Sequence, residues 1–121
     1  MPIIKIYSPN PCPNKNLLHS LCKCVTSILK LPHNHVWAFW HQLEESDFHR
    51  SDWNADDSTN PPMVMIYCKN SYSQRQIEAL IDGVSEQISV GCNCDKNNIY
   101  ISCFRVQSGH LMVRGELWID S

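Results

Sequence analysis

No apolar run in this 121-residue sequence is long enough to cross a bilayer. The longest are short, strand-like pieces, against the roughly 20 residues a spanning helix needs. The chain does not open with a basic segment leading into an apolar one, so neither secretion nor membrane association is expected and a cytoplasmic location is. It also lacks a basic block. Ten lysines and arginines face twelve aspartates and glutamates, for a formal net charge of -2, which argues against a nucleic-acid partner. No nucleophile elbow presents a serine or cysteine beside a base, so nucleophilic hydrolysis has no support. The seven cysteines are an odd number without an export signal, which reads as reduced, packed thiols rather than a disulfide scaffold. Cys22 and Cys24, like Cys92 and Cys94, are separated by one residue, as are His33 and His35. Structural zinc pairs of cysteines have at least two residues between them, and helical residues two apart point to different faces. No metal or other cofactor is expected.

What is present starts at the first residues, Met1-Pro2-Ile3-Ile4-Lys5-Ile6-Tyr7. Initiator methionine is generally removed before a small residue such as proline, which makes Pro2 the expected terminus. Its amine would be secondary and held in a rigid ring. An ordinary α-amino group titrates at roughly 7.7–8.0; apolar burial or a nearby cation lowers that value. Such an amine is a candidate general base near neutral pH. Many unrelated proteins begin Met-Pro, so the dipeptide alone assigns nothing.

The chain then repeats itself. Pro2-Ile3-Ile4-Lys5-Ile6-Tyr7 is echoed sixty positions on by Pro62-Met63-Val64-Met65-Ile66-Tyr67, each a short strand candidate opened by proline. A helix follows each. The first is expected to open at Pro13, with Leu17, Leu18, Leu21, Val25, Ile28 and Leu29 on one face at a period near 3.6 and Pro32 barring its extension. The second is expected to start near Ser73, whose spacing to Gln76 fits a capping box. It carries Ile77, Leu80, Ile81, Val84 and Ile88, and Gly91 is the expected stop. Second strands follow at Val36–Trp40 and Ile99–Phe104.

These elements predict one α/β (α+β) domain over residues 1–121, built of tandem βαβ units (2–43 and 62–105). A polar linker joins them (44–61), and a tail (106–121) turns near Ser108-Gly109-His110 and can pair as a strand or hairpin. Two such units make a four-stranded sheet with both helices on one face. The other face would carry Trp37, Phe39, Trp40 and Tyr100, and burying it calls for further copies of the chain in closed symmetry.

Met1-Pro2-Ile3-Ile4-Lys5-Ile6, the echo at Pro62 and the ending Gly109-His110-Leu111-Met112-Val113-Arg114-Gly115-Glu116-Leu117 together resemble the tautomerase superfamily. Its members include 4-oxalocrotonate tautomerase, macrophage migration inhibitory factor, malonate semialdehyde decarboxylase and cis-3-chloroacrylic acid dehalogenase. The resemblance spans nearly the whole chain apart from the linker. It implies a homotrimer forming a barrel-like assembly, a catalytic amino-terminal proline, and cationic side chains that hold a small carboxylate or carbonyl substrate and stabilise the charge on its enol oxygen.

The sequence departs from the family where those cations belong. Relatives place one or two arginines, suited to bidentate carboxylate binding, where this chain reads Cys68-Lys69-Asn70-Ser71-Tyr72-Ser73-Gln74-Arg75. By the resemblance, Lys69 takes the first arginine position, Tyr72 or Ser71 the second, and Arg75 is the nearest guanidinium. Trp37 and Tyr100 align with the second-strand arginine of 4-oxalocrotonate tautomerase, one in each half. The candidate substrate-binding set is therefore Lys69, Tyr72, Arg75, Tyr100 and Trp37, around catalytic Pro2. Bland readings stand beside it: solvated charges for Lys69 and Arg75, interface packing for Tyr100 and Trp37. Arg105 and Arg114 are reserve cations.

The expected function is enol–keto conversion of a small α-keto acid or enolpyruvate, with Pro2 as base. A dehalogenase, hydratase or decarboxylase of three-carbon acids is the alternative within enzymes. A non-catalytic trimeric binding or signalling protein is the alternative outside them.

Overall fold

The alternation iBiBiB of half-buried and buried residues through Ile3–Ser8 defines the first strand, β1. The computed structural model describes residues 2–32, 34–50 and 61–120. After β1 come α1 (Asn16–Leu29), β2 (Trp37–Gln42), β3 (Met63–Lys69), α2 (Gln74–Cys92) and β4 (Tyr100–Val106), then a hairpin of β5 (Met112–Val113) and β6 (Glu116–Leu117). Single 3-10 turns at Glu45–Asp47 and Lys96–Asn98 lie between them. Residues 51–60 of the expected linker lie outside the described residues, as does His33.

The sheet order is β2-β1-β3-β4. Within each half the strands run parallel, as a helical crossover requires; the halves meet through antiparallel β1 and β3. A period of two sends Ile4, Ile6, Val64, Ile66 and Cys68 to one face, where they are buried under Leu17, Leu21 and Val25 of α1 and Ile77, Leu80, Val84 and Ile88 of α2. Four strands, two helices on one face and the βαβ repeat are as the sequence predicts.

Element ends differ in instructive ways. α1 does not open at Pro13. Asn14 accepts the amide of Asn16 through its side chain at 2.9 Å, and the helix begins there; an Asx turn supplies what a proline start would have left to the backbone. The Ser73–Gln76 capping box at α2 is present in both directions, with hydrogen bonds of 2.8 and 3.2 Å. Gly91 does not stop α2. A Cβ there would lie 2.5 Å from Leu17 Cδ1, so its smallness serves helix–helix contact, and Asn93 at φ 51° takes the left-handed cap, a conformation asparagine tolerates.

Leu80 is fully buried between helix and sheet. Leu80→Ala is expected to destabilise the fold by about 2–5 kcal/mol, measured as a shift in denaturant midpoint at unchanged slope.

The opposite face of the sheet carries Trp37, Phe39, Tyr67, Phe104 and Tyr100, the strand positions that the register places away from the helices. Trp37 and Phe39 are 53% and 50% exposed. Trp40, placed on this face by the sequence reading, sits instead on the helix side, packed against the core, with its indole N–H donating to the Asn10 carbonyl at 3.0 Å. It directly follows Phe39, and neighbouring strand residues point opposite ways.

Candidate active site at the amino end of β1

Three strands bring the candidate residues to one end of the sheet. Pro2 immediately precedes β1; its ring is fully buried, and its carbonyl accepts the amide of Trp37 at 3.1 Å. In the antiparallel register Ile3 faces Tyr67. One step further places Cys68 opposite Pro2, and the next step is Lys69. His35 lies two residues before Trp37, so it reaches the same end from the other side.

The tail closes over this end. β5 and β6 are joined by Arg114 and Gly115 at φ 54° and 77°, both left-handed, as a two-residue type I′ hairpin requires. The turn projects Arg114 to 3.5 Å from His35 Nε2. Just past β6, Trp118 lies under the Lys69 ammonium, 4.9 Å from ring centroid to Nζ. A cation over an indole is held mainly by the ring's quadrupole. Together His35, Lys69, Arg114, Glu116 and Trp118 line an open cleft of about 350 Å³.

The candidates named from sequence thus divide. Lys69 lines the cleft. Tyr72, in the loop before α2, is half buried against the core; burial first, and then the nearby Cys68, push its phenol above the usual range, so it stays a neutral hydrogen-bond donor at pH 7. Arg75 is exposed in the first turn of α2. Trp37 stands at this end on the helix-free face. Tyr100 pairs with Met63 at the far end of β3, roughly 17–20 Å along the strands at 3.3 Å per residue, so one chain does not bring it to Pro2. Arg105, a reserve cation, is committed to the loop before α2: its guanidinium donates to the Asn70 carbonyl at 3.0 Å and to that of Tyr72. Arg114, the other reserve, is in the cleft. His35, Glu116 and Trp118 were missed as site residues; the Arg114-Gly115 pair was the signal for the turn that gathers them.

The second half has its own version of this corner. Pro61, Pro62, Ser8, Asn10, Trp40, Cys92 and Cys94 are among the residues lining a small cavity of about 70 Å³, and both prolines are buried.

Neither a protein-family model nor a curated protein matches the sequence. Solved structures do match. A fused 4-OT described as an asymmetric trimer superposes with a TM-score of 0.81 at 14% identity, covering 95% of this chain and 94% of that one. Malonate semialdehyde decarboxylase gives 0.73 at 12%, covering 94% and 92%. This is the tautomerase-superfamily fold. Macrophage migration inhibitory factor of Toxoplasma gondii shares the tautomerase fold at a TM-score of 0.71 and 16% identity, covering 96% of this chain and 99% of that one. Because β1 is an inner strand, Pro2, just before it, sits between the end of β3 that carries Lys69 and the start of β2, two residues after His35.

Proposed function

We propose that this chain, once Met1 is removed, is a homotrimeric tautomerase that interconverts enol and keto forms of a small α-keto acid. One observation carries the reading: the amino end of β1 shares one end of the sheet with three cationic or ionisable side chains, His35, Lys69 and Arg114. In this reaction the Pro2 amine takes the enol hydroxyl proton, and the resulting prolinium returns a proton to the adjacent carbon. Lys69 and Arg114 hold the carboxylate and the developing enolate charge, an electrostatic contribution that is strongest when the donors are already in place. Tyr72 donates to the substrate oxygen, and Arg75 adds a peripheral positive charge. Trp37 and a neighbouring copy's Tyr100 wall the cleft.

Similarity of fold to trimeric fused 4-OT and the exposed aromatic sheet face both support assembly. Phe39→Asp, which puts a charge on that face, is expected to leave a monomer by light scattering where the unaltered chain is a trimer.

The activity itself is tested with phenylenolpyruvate and 2-hydroxymuconate, followed by ultraviolet absorbance, on protein whose intact mass shows the methionine gone. Ketonisation at the rate of the buffer alone would overturn the proposal.

A further inference from the structure

Cys68 and Cys103 lie on adjacent parallel strands, β3 and β4, diagonal to each other, since Cys103 pairs with Ile66. Both turn to the helix side, and their sulfurs are 3.6 Å apart. We propose that these two thiols are a reversible, peroxide-oxidised redox site whose oxidised form is a Cys68–Cys103 disulfide. A disulfide needs about 2.05 Å between sulfurs, so the pair must close by roughly 1.5 Å. Diagonal neighbours on adjacent strands stand about 7–8 Å apart, beyond the usual Cα separation in a disulfide. Closure therefore also requires a shift of β4, which among the described residues is the outermost strand on its side of the sheet.

The two thiols have different roles. Cys68 is buried at 1% exposure, whereas Cys103 is only half-buried and is the one an oxidant can reach. The hydrogen bond from Cys68, aided by the Arg105 guanidinium and opposed by burial, lowers the Cys103 thiol to about 7; Cys68 is correspondingly raised. The thiolate is the nucleophilic form. By contrast, burial foremost, then neighbouring Cys94 and Cys12, pushes Cys92 up to about 12.

The chemistry closes with hydrogen peroxide as oxidant. The Cys103 thiolate attacks one peroxide oxygen; an S–O bond forms, the O–O bond breaks, and the departing hydroxide takes up the proton the Cys103 thiol released on ionising, giving the first water. The product is a sulfenic acid at Cys103. Cys68 then attacks that sulfur, forming the S–S bond and breaking S–O. The departing hydroxide takes up the Cys68 proton as water. Two thiols are oxidised, one peroxide is reduced and two waters form. A dithiol reductant reverses the change.

This proposal does not depend on Pro2 being catalytic, and its test has its own readout. The full-length protein is treated with equimolar hydrogen peroxide, remaining thiols are alkylated, and the digest is mapped by mass spectrometry. The expected product is a single cross-linked peptide pair joining Cys68 to Cys103, lost on reduction. In Cys68→Ser, Cys103 is expected to stop at sulfenic acid and be trapped by dimedone. Oxidation first at another cysteine, or a Cys103 that passes to sulfinic acid in the unaltered chain without cross-linking, overturns the inference. The mapping of the unaltered protein decides the matter even where a variant fails to fold.

Discussion

Pro2→Ala, processed to a free amino-terminal alanine, is expected to lower kcat/KM for phenylenolpyruvate by about 10²–10⁴-fold, the usual contribution of a positioned base. That is about 3–5 kcal/mol of transition-state stabilisation at 1.36 kcal/mol per decade. The variant keeps an amine, so what it loses is the ring that fixes the nitrogen at the head of β1. A second chain that retains Met1 separates nitrogen from ring: Pro2 is then an amide with no basic lone pair, and its loss should equal or exceed that of alanine. Circular dichroism identical to the parent is the control that the fold is intact, since the Pro2 ring is itself buried. If both variants turn over substrate at the parent rate, the base lies elsewhere.

Removing the cations of the cleft gives the second large effect. Lys69→Met and Arg114→Met are each expected to cost about 10–100-fold in kcat/KM, the range of one charge-assisted hydrogen bond at about 1.5–3 kcal/mol. Methionine keeps the aliphatic bulk, so the change reports charge. A rise in KM alone would assign the residue to uniform carboxylate binding, and an equal fall in kcat would assign it to the enolate oxygen. The double variant tests whether the two act together: they share the cleft with His35 and Trp118, so their effects should not add. Arg75→Met, exposed and outside the cleft lining, is expected to have the smaller effect.

The fold was legible because its signals are local. Period-two burial in β1 and β3, period-3.6 burial in α1 and α2, and the capping box at Ser73 each sit within a few residues of one another. Misreadings arose where two local rules compete. Pro13 and Gly91 have the right residue types for helix ends, but Asn14 and Asn93 satisfy the terminal backbone groups one and two residues further on. Trp40 was assigned by hydrophobicity where strand parity decides. The site was less legible because it is assembled from distant parts. Lys69 and Tyr72 could be placed next to the second helix from local sequence. His35 and Arg114 are 79 residues apart, and only the I′ turn and the closure of the tail bring them together. Tyr100 shows the reverse: its resemblance to the second-strand arginine position of 4-oxalocrotonate tautomerase names it, but strand direction carries it to the other end of the sheet.

The doubled architecture also has an arithmetical consequence. Pro62 heads β3 as Pro2 heads β1, yet its nitrogen is bonded to Pro61 as a tertiary amide and is neither basic nor nucleophilic. Of the two pseudo-equivalent corners in each chain, only the first gains an ionisable nitrogen if Met1 is removed, and the other is permanently silent. Beyond the six lysines, an amine-directed covalent probe would find at most one further site per polypeptide, and the second corner, headed by two consecutive prolines, offers it none.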